Sequence, residues 1–310
     1  MFFSTLAEMA AFSVVTVALR LSTEDISIFQ TTFIRYAICA LLIAPLSLLR
    51  GALYTNDDIK IHLRRSIFIY VSALSWTYAI TSIPLSLALF IFYLKTILLC
   101  LLSSHIGYGA PSRTEWFAVS VGIVGVLLVV GPLPASSSPL GMAAAFLSAV
   151  SSSLIASETK RLGTTGTPTS ATLMAMIMVA VISFPASTYY WISPSYNTMT
   201  FITVSSIFTV ISQCILFYSY SRLSITKIAL IEFGRFLCLS LIGALVFYDR
   251  LNSVAIFGLA LIAGCIAVGL LASPGKKSLS ASAPRGYLVS ASSRATSLFL
   301  WKRNRRGRET

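Results

Sequence analysis

The sequence predicts an all-α membrane protein of about ten transmembrane helices arranged as two inverted five-helix repeats. Three observations carry that prediction. The 310 residues are 56% hydrophobic and only 11% charged, too apolar for a chain whose whole surface must be wetted. The apolar residues fall in runs long enough to cross a bilayer. The chain also aligns weakly with itself at a fixed offset, which divides the runs into two sets of five.

A span needs about 20 apolar residues, and such runs lie near 2–19, 26–49, 66–82, 85–104, 116–133, 139–156, 169–189, 199–219, 226–248 and 253–272. Proline and glycine in "SIPLS", "GPLPASSSPLG" and "ISPS" mark tight connections. The first run could pass for a signal peptide. It lacks a basic leading segment and carries Glu8 within its apolar stretch, so it reads as a retained span. Beyond Pro274 the chain turns Ser-rich and basic, the composition of a disordered tail.

The repeat sets the domain organisation. "YAITSIPLSLALFIFYLKTILLC" from Tyr78 and "YSYSRLSITKIALIEFGRFLCLS" from Tyr218 align without a gap, which places Lys95 opposite Arg235. The same offset pairs Pro45 with Pro185 and Arg20 with Lys160. The expected units are residues 1–133, residues 139–272 and a basic tail, 274–310. Five spans is an odd number, so the second unit enters the membrane from the opposite side. Many secondary transporters share that plan, with a site near the bilayer midplane between the repeats.

Orientation follows from the cations. With a cytoplasmic N-terminus, the inner segments hold Arg50, Lys60, Arg64, Arg65, Arg113, Lys160, Arg161, Arg222, Lys227 and the basic tail, while the outer loops hold only Arg20 and Arg250. The asymmetry puts both termini in the cytoplasm. It also accounts for the net charge of +13 without nucleic acid; the expected partner of the tail is the anionic headgroup layer. The five cysteines (Cys39, Cys100, Cys214, Cys238, Cys265) sit in apolar runs with no C-x-x-C pair, which argues against a disulfide framework or a metal site. The sequence indicates no cofactor. His62 and His105 fall in or beside loops, and no catalytic constellation appears. A membrane-embedded lipid-modifying enzyme or a channel is therefore the alternative of another class. A homodimer is left open.

Charges inside spans are the candidate functional residues. Each costs roughly 2.5–3.5 kcal/mol on insertion scales. Arg35, Lys95 and Arg235 are cations in this position; Glu8 and Glu232 are the acids. Glu232 and Arg235, three residues apart, share a helix face and can neutralise each other. Lys95 and Arg35 then lack equally obvious partners, and the surplus of one positive charge suits a cavity for a carboxylate or phosphate. The alternative is that Glu232 meets a substrate's cationic end or, like Glu8, takes part in proton coupling or charge balance. Trp76, Tyr78, Tyr93 and Tyr218 are candidate aromatic faces for a planar ring or an organic cation. Trp116, Tyr189, Tyr190 and Trp191 stand at span ends, as interfacial aromatics do.

These residues carry a resemblance. The five-span plan, Arg35 in "FIRYAICALLIAP" and the Gly-rich "VGIVGVLLVVGP" resemble the EamA-type drug/metabolite transporter superfamily over nearly all of residues 1–272. "SWTYAITSIP" (Ser75–Pro84) and "YWISPS" (Tyr190–Ser195) are similar to the S-adenosylmethionine uptake transporters of obligate intracellular bacteria. The resemblance implies a carrier of a small metabolite, S-adenosylmethionine or another amino-acid-like or nucleotide-like molecule, in a bacterial inner membrane. The chain also departs from the pattern. Gly109 stands where an acid often ends the fourth span, Asp249 keeps that acid in the second repeat, and Lys95-Thr96 replaces a proline midway along the fourth span. Glu232 and Arg235 follow each other in the reverse of the subgroup's order.

Overall fold

In the computed structural model the described residues are 2–23, 25–49, 59–105, 111–131, 138–162, 168–189, 191–223, 225–246 and 253–271. The tail, Gly109 and Asp249 lie outside them. The described residues form eleven helices and no strand: α1 Phe2–Ser22, α2 Ile28–Leu49, α3 Ile59–Ser82, α4 Leu85–Tyr93, α5 Lys95–His105, α6 Arg113–Val130, α7 Pro139–Leu162, α8 Pro168–Tyr189, α9 Tyr196–Arg222, α10 Ile225–Val246 and α11 Ser253–Leu271. Six stretches among them are long and apolar enough to cross a bilayer, and one of these, Leu85–Ser103, joins α4 to α5 as a single span. The eleven helices thus make ten spans of a multi-pass, all-α membrane protein.

Local chemistry sets several helix ends. Ser112 accepts from the Glu115 backbone N–H at 3.2 Å while the Glu115 carboxylate accepts from the Ser112 N–H at 2.7 Å, a capping box that starts α6. Gly131 ends α6 at φ 70, a backbone conformation that favours glycine. The α4–α5 break at Leu94 involves neither proline nor glycine. There the bonding tightens, with Leu94 N donating to Ile91 O and Ile97 N to Leu94 O, both at 3.1 Å. Ser153 of α7 donates to the Lys95 carbonyl at 3.3 Å, so a neighbouring side chain satisfies backbone at the break.

The closest helix pairs are α3 with α7, α1 with α9, α2 with α8 and α6 with α11. Counted as spans, these pairs are third with sixth, first with eighth, second with seventh and fifth with tenth. Exchanging each span for the one five places away returns the same set. Pro45 and Pro185, matched in sequence, sit inside the mutually packed α2 and α8. In the α6–α11 seam, a Cβ on Gly258 would lie 2.6 Å from the Gly125 carbonyl, so only glycine permits this approach.

Two charged positions differ from expectation. α3 begins at Ile59, earlier than the predicted span, so His62 and Arg65 are buried within a helix and His62 is not a loop residue. Arg65 donates to Thr159 Oγ1 and the Ala171 carbonyl at 3.0 Å each, which offsets its burial. Glu158 beside it faces Arg64 at 3.4 Å and Arg161 at 3.7 Å.

Candidate central cavity

A cavity of about 140 Å³ lies among α1, α2, α3, α4, α5, α7, α9 and α10. Both halves of the chain therefore line it. Lys95, Glu232 and Arg235 line it, as part of a chain of buried charges that ends at Glu8. Lys95, the first residue of α5, places Nζ 2.8 Å from Glu232 Oε2 on α10. Glu232 Oε1 lies 3.5 Å from Arg235 Nη1 one turn further on. Arg235 Nε donates to Glu8 Oε2 at 2.9 Å, and its Nη2 makes a second, shorter bond to Glu8 Oε1. Ser212 of α9 donates to the same carboxylate at 2.8 Å. All four charged residues are at most 5% exposed.

This arrangement differs from the pairing that the sequence suggested. Glu232 and Arg235 do face each other, yet each has a nearer partner on another helix. Glu232 serves Lys95, and Arg235 forks onto Glu8 in the bidentate geometry that suits a guanidinium and a carboxylate. The reason is rotational: three residues put the two side chains on one face of α10, while α1 and α5 present their charges to that face at shorter range. Two cations and two acids make a tetrad of zero net charge.

Arg35 of α2 lines the same cavity and stands apart. It is 5% exposed, its guanidinium carbon lies 4.7 Å from the centroid of the Tyr36 ring, and its Nε–H meets no acceptor among the described residues. None of the ion pairs among the described residues includes it. The surplus cation deduced by counting is thus a single identified side chain.

Aromatic rings form one wall. Trp76 and Phe92 lie 4.7 Å apart by centroid, and Phe12 stacks on Phe92 at 6.4 Å. The faces of these rings already hold the protein's own cations: Lys95 Nζ lies 4.4 Å from the Phe92 centroid and the Arg235 guanidinium 4.7 Å from that of Phe12. Tyr93 is buried but turned away from the cavity, packed on Phe233 at 5.8 Å and edge-on to Phe236 at 5.5 Å. Tyr78 and Tyr218 are not brought to the cavity either. Tyr218 is 42% exposed on the bundle's outside. Each stands two residues from a lining aromatic, Trp76 or Tyr220, and two residues carry a side chain roughly 200° around a helix.

Another part of the lining is polar and uncharged, and the sequence reading does not single it out. Ser72 of α3 lies 3.1 Å from Ser148 Oγ and 3.0 Å from Ser152 Oγ, both on α7. Thr209, Ser212, Gln213, Leu216 and Tyr220 run down one face of α9. Their three- and four-residue spacing in "TVISQCILFYSY" is the signal that could have found them.

Helix α9 is held at both ends. Asp25, between α1 and α2, accepts from Ser195 Oγ at 2.8 Å and Thr198 Oγ1 at 2.6 Å at the start of α9. These bonds hold the Asp25 carboxyl below its ordinary range. At the far end Lys160 Nζ donates to the Tyr220 and Leu223 carbonyls, each at 2.7 Å. An acid at the N-terminus and an ammonium at the C-terminus both match the helix dipole.

Comparison with known proteins gives concordant findings. The chain is 23% identical over 169 residues to S-adenosylmethionine uptake transporters of Rickettsia prowazekii (strain Madrid E) and Rickettsia bellii (strain RML369-C). Those matches cover 54% of this chain and 57% of each relative, so the chain spans little more than half the length of the curated relatives it matches. A crystal structure of a protein 19% identical in sequence superposes with a TM-score of 0.72 over 87% of this chain and 99% of its own, a likeness of fold alone. Residues 2–131 match the model of the EamA-like transporter family.

Proposed function

We propose that this protein is a secondary carrier that moves a small metabolite across a bacterial inner membrane by alternating access, with both termini in the cytoplasm. One observation carries the reading: a charged and hydroxyl-rich cavity enclosed by apolar spans of both halves. Buried charges in spans mark substrate or ion pathways more often than they mark scaffolds. The units 1–133 and 139–272 act as the two inverted repeats, supported by helix pairing that survives exchange of the halves. At about 140 Å³ the cavity is smaller than the roughly 300–1,000 Å³ of most ligand sites. A nucleoside-sized substrate therefore enters only when the helices part, as alternating access requires.

S-adenosylmethionine is the first substrate to test, on the strength of the relatives' names. Labelled S-adenosylmethionine should accumulate, saturably, in bacteria expressing the protein, and excess S-adenosylhomocysteine should compete. Failure to accumulate, with the protein present in the membrane, refutes that substrate. A second reading is a carrier for an amino-acid-like or nucleotide-like anion. It is favoured by the unbalanced Arg35 and by aromatic faces already occupied by Lys95 and Arg235; competition by such anions in the same assay decides it. A lipid-modifying enzyme would alter the lipid profile of expressing cells, and a channel would show no saturation.

A further inference from the structure

We propose that Arg35 and Thr209 form a dedicated subsite for the carboxylate of the transported metabolite, and that Lys95 and Arg235 are not its ligands. The inference rests on the carrier reading and assigns the chemistry within its cavity.

Electrostatic accounting leads there. Every charge of the tetrad has an opposite charge in reach: Glu232 Oε2 lies 2.8 Å from Lys95 Nζ, an ion pair without hydrogen-bond geometry, and Glu8 accepts from Arg235 and Ser212. A substrate anion at Lys95 or Arg235 would have to displace a buried carboxylate that cannot leave the membrane interior. Arg35 asks for no displacement. Its guanidinium is buried against Tyr36, its Nε–H is unsatisfied, and no carboxylate among the described residues pairs with it. A buried cation without a counterion is costly in itself, so an arrangement that retains one is waiting for an anion.

The second polar group is Thr209. It is 6% exposed, lines the cavity, and its hydroxyl likewise has no hydrogen-bond partner among the described residues. Its place beside Arg35 follows from the backbone. Ser206, one turn before Thr209 on α9, donates to the Arg35 carbonyl at 3.2 Å, and the Ser206 carbonyl accepts from Cys39 Sγ at 3.4 Å. These contacts fix α2 against α9 at Arg35, and Thr209 follows on the same face of α9. The Tyr36 ring lies against the guanidinium and limits its rotation. A carboxylate arriving from the cavity meets a donor from each helix.

The test uses the purified full-length protein in detergent, read by ligand-induced thermal stabilisation, so that binding is scored independently of transport. S-adenosylmethionine, methionine and phenylalanine are each compared with the decarboxylated counterpart, which lacks only the carboxylate. At least one carboxylate-bearing ligand should bind wild type at least about tenfold more tightly than its counterpart, the scale of a charge-assisted hydrogen bond left unmade. Arg35→Met should abolish that preference, and Thr209→Val should weaken it. Arg35→Met should also leave unliganded thermal stability unchanged or raised, because it removes an unpaired buried charge. Equal binding of both members of every pair, a preference that persists in Arg35→Met, or no binding by any carboxylate-bearing ligand each overturns the subsite. Carboxylate-selective binding that Arg35→Met abolishes, without uptake into vesicles, upholds the subsite and defeats the carrier reading.

Discussion

The fourth and ninth spans are counterparts in the aligned sequence, yet they do opposite things at the same place. The fourth is broken at Leu94 and brings one charge, Lys95, to the cavity; α10, the ninth, runs unbroken through Glu232 and Arg235 and brings two. Around them the scaffold keeps its symmetry, as in the α6–α11 seam and the proline-bearing α2–α8 pair. The helix pairing is thus the same under exchange of the halves, while the difference between these two spans sets which charges the cavity contains. The break also has a use: it starts a new helix at Lys95, whose carbonyl Ser153 satisfies.

The comparison is broken most severely by removing one acid from α10. Glu232→Gln leaves Lys95 and Arg235 sharing only Glu8, and should destabilise the protein by about 3–5 kcal/mol. Fluorescence-detected gel filtration from membranes would show loss of the folded peak. The double change Lys95→Met with Glu232→Gln removes one ion pair whole and should recover most of that loss. Glu232→Gln with Arg235→Gln should not recover it, since it strands Lys95 and Glu8, which lie at opposite ends of the tetrad. If the two double variants behaved alike, the pairing described here would be wrong.

Gly258→Val tests the symmetric part of the scaffold. Its side chain meets the Gly125 carbonyl and the Val129 side chain, the latter 2.9 Å from the first added carbon, so α6 and α11 must separate. A loss of about 1–3 kcal/mol is expected in thermal denaturation.

The ends of α9 give smaller effects. Lys160→Met removes donors from the Tyr220 and Leu223 carbonyls and should cost about 1 kcal/mol. Asp25→Asn should cost less, because the group is exposed to solvent. Its sign with pH is fixed. The folded state holds the Asp25 carboxyl below 3.8, so its stabilisation is present above that pH and is lost as the pH falls through the folded value. Melting curves of wild type and Asp25→Asn should therefore differ at neutral pH and converge in acid.

Much of this was legible in the sequence, and what was not shares one cause. The order of the spans and the charges at Glu8, Arg35, Lys95, Glu232 and Arg235 stand out against hydrocarbon. Their partners do not. An apolar span faces lipid on one side and protein on the other, so it lacks the amphipathic stripe that fixes the rotation of a soluble helix. Rotation decides whether Tyr218 or Tyr220 faces inward and whether Glu232 reaches Arg235 or Lys95 first. The polar spacing of α9, and the Ser148–Ser152 pair on α7, are such stripes, and they mark the part of the lining that charges and aromatics do not reveal.

Neutrality of the tetrad has an electrical consequence. The membrane potential acts on net charge, at about 2.3 kcal/mol per elementary charge carried across 100 mV. Lys95, Glu232, Arg235 and Glu8 move as two cations and two anions held within ion-pair distance, so carrying them together along the field takes no net work. Arg35 is different. On the proposed subsite, a bound monoanion would cancel the one unbalanced positive charge of the empty cavity, whereas a zwitterion such as methionine would leave the net charge as it is, so the voltage dependence of uptake reports the net charge of the substrate.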